Sequence, residues 1–399
     1  MLFKLLFFFL IKNFNFQATT GKLFQGDIIR KYTLQNNNKN YIFKSTSFLK
    51  TILSDYNFCD YWGVTTTIFN ISEAINVFLQ LPKNYCIIVI GDLKTPDYFY
   101  SNLKNPRLLF LNSSVQKKIS ENDDFMSKLP WNSFARKNIG YIVAIIAKAK
   151  AIWDMDDDNI INSKSRFIEI VEKKQKINQN LFKVINCTTI NPLSLFTSNL
   201  TNYIWPRGFP LEIIKTTSHN FEKAEEYGNI FIWQSLADND PDVDAIFRLT
   251  KNHKIFFAKN KALIIQPYQY SPLNAQASIF FPDSYFTLFL PYTVHGRVSD
   301  IWRGYIAQTL ISNLNGKIII SSPLVIQKRN SHNYLADFIS EKNLYEQSSK
   351  IIDVLKNLLV EKKNLNIEDI YISLYERGFI DISDVHAAVT WSKFINFLK

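Results

Sequence analysis

The stretch Trp153-Asp154-Met155-Asp156-Asp157-Asp158-Asn159 sets four carboxylates within five residues, directly after the short apolar run Ala149–Trp153. Negative charge packed this closely is costly unless a cation or water neutralises it. Alternate residues of an extended segment point the same way, so Asp154 with Asp156, or Asp156 with Asp158, can face one ion together. Asp157 completes the set of candidate metal ligands. Hard oxygen ligands suit Mg²⁺ or Mn²⁺, which keep open positions for diphosphate oxygens. Two other readings compete. An EF-hand loop starting at Asp154 fails where Asn159 stands for the required Gly and Ser165 for the required Glu. An acidic turn can also simply cap a following helix, here from Ile160 onward.

The elements around the cluster favour the metal reading. Trp62–Ile68 is β-branched and reads as a strand. Ser72 is placed to cap a helix whose Ile75, Phe78 and Leu79 fall at helical spacing. Tyr85–Asp92 is a continuous apolar run, as expected of a strand buried on both faces. Pro96 opens the next helix, and Arg107–Leu111 is a third strand. Arg136–Ala149 reads as a helix with Ile139, Ile142, Val143 and Ile146 on one face, running into the strand that delivers the carboxylates. This β-α-β-α order predicts a parallel sheet with helices on both faces. In such sheets ligands sit beyond the carboxyl ends of the strands. Thr65, Thr66, Asp92 and the 154–158 cluster all fall at such ends, which marks Thr65, Thr66, Asp92 and Asp156 as candidate nucleotide-binding residues.

Further along, Asn186–Ser198 reads as strand and loop, Lys261–Pro267 and Ile279–Pro282 as strands, Tyr305–Leu314 as a helix and Lys317–Ser321 as another β-rich run. From about Tyr334 the chain is helical, with Ile351, Ile352, Leu355, Leu358 and Leu359 at helical spacing. Asn36–Asn40 is a polar loop.

With 399 residues, 47% of them hydrophobic, the chain can build one large domain with an addition, or two domains. The net charge of +11 is spread along the chain without a basic block, and nucleic-acid binding is not supported. Such a charge favours anionic ligands, nucleoside diphosphates among them. Cys59, Cys86 and Cys187 allow at most one bridge, and Cys86 reads as a small core residue in an apolar run. The apolar start Met1–Ile11 is short for a bilayer span and fits a signal peptide or a short signal anchor within residues 1–20. Sequons at Asn70, Asn112, Asn186 and Asn199 agree with a secretory route.

Several motifs in collinear order resemble the STELLO family of glycosyltransferases. They are Val89–Pro96, Pro130–Tyr141 followed by Ile152–Asp157, Trp205–Glu212, Asp240–Asp244, and Ser299–Tyr305, with weaker similarity from Leu374 to Trp391. The resemblance runs from about Asn57 to the C-terminus. It implies an α/β, GT-A-like Rossmann-type mixed sheet over 57–330, after a lead-in at 21–56 and before a helical C-terminal region at 331–399. It further implies a Golgi or other secretory-pathway enzyme, membrane-anchored or secreted. Such an enzyme takes a nucleotide-sugar donor and a glycan, protein or lipid acceptor, with Mn²⁺ or Mg²⁺ as cofactor. Gly296–Gly304 is more distantly similar to UDP-arabinopyranose mutases, which leaves a nucleotide-sugar mutase as one alternative. A catalytically silent scaffold is the other.

On this reading Arg136, Lys137, Arg297 and Arg303 are the candidate partners of diphosphate oxygens. Asp300 is the candidate catalytic base toward the acceptor hydroxyl in an inverting reaction. The competing reading of Asp300 is a cap on the helix that follows. Trp205, Arg207 and Trp302 are candidates for the sugar or acceptor side. Asp242 and Asp244 repeat the Asp-x-Asp spacing but read more as a loop and a cap.

Overall fold

Strand β2 (Tyr85–Gly91) is buried at every position, and its alternation divides the molecule. Cys86, Ile88 and Ile90 point into one apolar cluster, and Tyr85, Ile87 and Val89 into another. A strand covered on both faces is what its uninterrupted apolar run predicts. In the computed structural model, residues 44–398 are described apart from 122, 175–178, 198–203, 252–253 and 330–332. The apolar start, the polar loop at Asn36–Asn40 and the sequon at Asn199 lie outside the described residues.

The strands are β1 (Tyr61–Thr67), β2, β3 (Leu108–Leu111), β4 (Ala151–Met155), β5 (Asn159–Ile161), β6 (Asn180–Val184), β7 (Phe221–Lys223), β8 (Ile230–Asp238), β9 (Lys261–Ile265), β10 (Ala277–Phe280) and β11 (Lys317–Gln327). They form one mixed sheet in the order β3-β2-β1-β4-β10-β8-β11-β9-β6-β7, with β5 paired to β11. The β3-β2-β1-β4 half is parallel throughout, as the β-α-β-α order requires. β10 then lies antiparallel between β4 and β8. The α/β class with a mixed sheet flanked by helices is therefore as expected.

One face carries the helices Glu73–Phe78 and Lys164–Lys173, through Ile75, Phe78, Phe167 and Ile170. The other face is much thicker. It holds the helices Lys137–Ile146 and Gly296–Asn313, together with the C-terminal helices, which share one cluster with β1 and β2 through Ile351, Leu355, Tyr371 and Trp391. The helix Lys44–Leu53 joins the same cluster through Leu49 and Leu53. The helix Lys137–Ile146 was expected to bury one face. All ten of its residues are buried, because it packs against β1, β2 and the helix Lys44–Leu53 together.

Three further differences concern the sequence reading. β8, nine residues at the centre of the sheet, went unread. Within Asn186–Ser198, the described residues 186–197 form a loop with one short helix, Leu193–Phe196, and the strand β6 lies before it. The helix around Tyr305 starts at Gly296 with His295 as its cap, so Asp300 lies within the helix and does not cap it. Cys86 is buried as expected and is also bridged, to Cys59, which ties the lead-in of β1 to β2. Among the described residues, no helix is long and apolar enough to cross a membrane.

Candidate active site

The acidic turn is fixed from both sides. Ser278 of β10 faces Asp154, and the Asp156 N–H donates to the Gln276 carbonyl at 3.2 Å. After the turn, Asn159 of β5 pairs with Gln327 of β11, and the Lys328 N–H reaches the Asp158 carbonyl at 3.0 Å. Asn159–Ile161 is therefore a strand, and the helix-cap reading of Asp158 or Asn159 does not hold.

The four carboxylates have different surroundings. Asp154 follows the β4 alternation onto the thick face, together with Ile152. It is fully buried between Lys137, at 2.7 Å, and Arg303, at 2.9 Å. Arg303 also donates to the Tyr141 hydroxyl at 3.0 Å. Asp156 lies past the end of β4, with its side chain 37% exposed and Lys137 at 3.5 Å. Burial among Asp158, Asp154 and Asp157 raises its carboxyl above the usual range, against the pull of Lys137. Asp157 accepts a short hydrogen bond from Thr67. Burial raises this carboxyl too, with the Thr67 bond opposing. Asp158 holds the amides of Asn159 at 2.7 Å and Gln327 at 3.2 Å.

Two cavities meet at this turn. The first, about 520 Å³, is lined by Ile68, Phe69 and Asn70 after β1, Lys94 and Pro96 after β2, Asp157, Asp158 and Lys328. The second, about 500 Å³, is lined by Asn132–Phe134, Asp156, Asp158, Arg207, Asp242, Gln276, His295, Arg297, Asp300 and Arg329. Asp158 borders both.

Most of the remaining candidates lie off the walls of these cavities. Thr65 is buried and Thr66 half-buried. Thr67, one residue further on, is the β1 residue that touches the acidic turn. Asp92 accepts the N–H groups of Asn132 and Ser133, at 2.9 and 3.2 Å, and so shapes the wall of the second cavity. Arg136 is buried, stacked 3.5 Å over the Trp131 ring and donating to Gln116 at 2.7 Å. Lys137 and Arg303 lie beneath the turn. Of the four cations expected to meet a diphosphate, Arg297 alone borders a cavity, and it is paired with Glu341 and, at 3.5 Å, Asp337. Trp302 is fully buried against Phe379, which settles it as a core aromatic. Trp205 is buried and donates to Asp244 at 2.6 Å, and Asp244 caps the helix Ala245–Thr250 as read.

Asp300 borders the second cavity. Its Oδ2 accepts from Arg207 at 2.7 Å and from the Ala275 N–H at 3.3 Å, and its Oδ1 accepts from Arg207 at 3.0 Å. The same guanidinium grips Asp242 at 2.8 and 2.9 Å, and Asn274 adds a bond to Asp242 at 2.8 Å. Burial alone would raise the Asp242 carboxyl, but Arg207 and Asn274 outweigh it and hold it down at about 2. Sequence reasoning set Asp242 aside and did not single out His295, Gln276, Gln327, Arg329 or Glu341. The repeated Asp-x-Asp and the family-like motif Asp240–Asp244 were the signals that could have found Asp242.

The donor set of the turn is hard oxygen. Among the described residues no three His, Cys, Asp or Glu side chains form a ready-made metal cage, since Asp154 is turned inward onto Lys137 and Arg303. Asp156 and Asp158, both bordering the second cavity, fit an ion such as Mg²⁺ that takes one or two carboxylates and fills its remaining positions with water and phosphate oxygens.

Comparison with known proteins extends this picture. The family model described as STELLO glycosyltransferases matches residues 297–384. Two Arabidopsis thaliana proteins named "Probable glycosyltransferase STELLO1" and "Probable glycosyltransferase STELLO2" are each 28% identical, over 346 and 349 residues, or 83% of this chain. The chain is thus similar to STELLO glycosyltransferases over most of its length. The chain spans less than half the length of these curated relatives, 43% and 44%. The matched family segment contains Arg297, Asp300, Arg303, Glu341 and Asp384, and the acidic turn lies outside it. The crystal structure of S. aureus TarS 1–349 aligns over 85% of this chain and 92% of its own, with a TM-score of 0.33 and 10% identity.

Proposed function

We propose that this chain transfers a sugar from a nucleoside-diphosphate donor, UDP-linked in the first instance, to a hydroxyl acceptor in the lumen of the secretory pathway. The observation that carries the reading is the pair of cavities meeting at the acidic turn, with Asp158 on both. The first cavity opens at the carboxyl ends of β1 and β2 and takes the nucleotide, with Lys94 and Lys328 on its wall as cations for the diphosphate. The second takes the acceptor. Asp156 and Asp158 would hold Mg²⁺ or Mn²⁺. When bound, that ion stabilises the charge of the departing nucleoside diphosphate.

Asp300 lies on the acceptor side with one Oδ1 acceptor direction not taken by Arg207. In an inverting reaction it receives the acceptor hydroxyl's proton as that oxygen bonds to the anomeric carbon and the bond from that carbon to the diphosphate oxygen breaks. Arg207 fixes the carboxylate in place. The disulfide Cys59–Cys86 supports an oxidising compartment, in line with the secretory reading. One observation favours a second reading, a silent scaffold. Arg207 engages both oxygens of Asp300, as in a purely structural ion pair.

Calorimetric titration of the purified chain with UDP, with Mn²⁺ and with EDTA tests the proposal, with Asp156→Ala/Asp158→Ala as control. Metal-dependent UDP binding that the double variant loses supports the transferase reading, and a donor screen then separates enzyme from scaffold by turnover. No UDP binding with or without Mn²⁺ overturns it.

A further inference from the structure

Lys137 stands where a cation is least expected. It opens the helix Lys137–Ile146, whose positive dipole end disfavours it, and it is fully buried. Its ammonium donates to the Met155 carbonyl at 2.7 Å and the Ala275 carbonyl at 2.8 Å, and it lies 2.7 Å from Asp154 Oδ1 as an ion pair. Those oxygens belong to the end of β4 and to the loop before β10, so the ammonium joins the two segments that present the acidic turn. Asp156 Oδ1 lies 3.5 Å away, within electrostatic reach. Arg303 holds the other oxygen of Asp154. Two cations against Asp154 leave one positive charge to offset Asp156 from below.

We infer that Lys137 is a tethered resident cation of the acidic turn. It holds the turn in shape without a metal and weakens the turn's affinity for a free divalent ion, so that the ion is taken up together with the diphosphate. The inference rests on the transferase reading above. It makes Lys137 a positioning residue toward the metal and not a diphosphate ligand. The physical argument is charge balance. A divalent ion arriving alone finds Asp156 already offset by the positive charge below it. One arriving with a diphosphate brings negative charge of its own, and the repulsion is offset. In a site of intermediate dielectric, a unit charge a few ångströms from a divalent ion alters affinity by about tenfold or more.

The test is Mn²⁺ binding to the full chain, read from the electron paramagnetic resonance of the free ion, with and without saturating UDP. Wild type, Lys137→Gln and Lys137→Arg are compared. Lys137→Gln is expected to bind Mn²⁺ alone about tenfold or more tightly than wild type and to depend less on UDP. Lys137→Arg, which keeps the charge, is expected to stay near wild type. Unchanged Mn²⁺ affinity in Lys137→Gln, with UDP-dependent binding intact in wild type, overturns the inference and leaves the transferase reading standing. Absence of Mn²⁺ binding in wild type even with UDP overturns both.

Should Lys137→Gln not fold, the wild-type chain labelled with ¹⁵N-lysine provides the readout. Its buried ammonium resonance is expected to shift when Mg²⁺ and UDP are added together and to stay in place with Mg²⁺ alone. A resonance unmoved by both together overturns the inference.

Discussion

Arg207 donates to both oxygens of Asp300, at 3.0 and 2.7 Å, while the same guanidinium holds Asp242 at 2.8 and 2.9 Å. All three side chains border the second cavity, so one arginine sets the spacing of two carboxylates there. Removing it leaves two largely buried carboxylates without their shared cation. Arg207→Ala is expected to lose roughly 3–5 kcal/mol of stability in urea unfolding. Lys lacks the planar fork, so Arg207→Lys is expected to recover only part of that loss. UDP binding in the presence of Mn²⁺ should survive in the Lys variant, because Arg207 does not border the first cavity. A Lys variant as stable as wild type would show that the fork geometry is not what holds this wall.

Asp384, on the C-terminal helix, fixes the loop that leads into His295. It accepts the Tyr292 N–H at 2.8 Å, the Thr293 N–H at 3.2 Å and the Thr293 hydroxyl. Burial lifts its carboxyl from an ordinary 3.8 to about 6, although those hydrogen bonds oppose the rise. A carboxyl raised in the folded state contributes stability that is fully present below its unfolded value, near 4, and lost as pH climbs through about 6. A rise of this size accounts for roughly 3 kcal/mol. Between pH 4 and 7 Asp384→Asn should therefore gain on wild type by up to about that amount in parallel urea titrations. Parallel stability curves would remove Asp384 as the titrating group.

The Cys59–Cys86 bridge closes a loop of 27 residues between the lead-in of β1 and the buried strand β2. The chain-entropy cost of such a loop corresponds to about 3.5 kcal/mol. Cys59→Ser/Cys86→Ser is expected to unfold at lower urea by an amount within roughly 2–4 kcal/mol of wild type. Wild type under reducing conditions should match the double variant. Coincident wild-type curves with and without reductant would show that the bridge is not formed in the purified chain.

Legibility in the sequence followed burial. Tyr85–Gly91 and Ala151–Met155 are near-continuous apolar runs, and both were readable as sheet. Ser72 was readable as a cap because its hydroxyl meets the Ile75 N–H at the expected spacing. β8 carries Gln234 and Ser235 at its centre, each satisfied by partners far along the chain or on its own backbone, and this blurs its apolar run. At the site, the position of the Asp cluster was legible because a strand end followed by a turn is a local property. The division of labour within the cluster was not. Asp154 and Asp156 share a parity along an extended chain, yet the turn after Met155 and two cations from distant helices send one inward and leave the other at the cavity. The grip of Arg207 on Asp300 spans 93 residues of sequence, and no spacing rule reaches it.

Both helices that supply the buried cations dock through a glycine. A Cβ on Gly140, three residues after Lys137, would sit 2.5 Å from Val64 Cγ1 of β1. One on Gly304, next to Arg303, would sit 2.7 Å from the Leu273 carbonyl oxygen and 2.9 Å from its Cβ. The missing side chain lets each helix come close enough for Lys137 and Arg303 to share Asp154. Alanine is the better helix former by about 1 kcal/mol at an exposed site. Here the overlap outweighs that preference, and Gly140→Ala and Gly304→Ala are each expected to lose about 1–3 kcal/mol. Gly304→Ala should be the harder to absorb, because it meets backbone, whereas Gly140→Ala meets a single valine methyl group. Because the displaced helices carry Lys137 and Arg303, both variants should also alter Mn²⁺ affinity in the presence of UDP, although neither glycine borders the cavities. Loss of stability with Mn²⁺ affinity unchanged would show that the acidic turn keeps its shape independently of how these helices are seated.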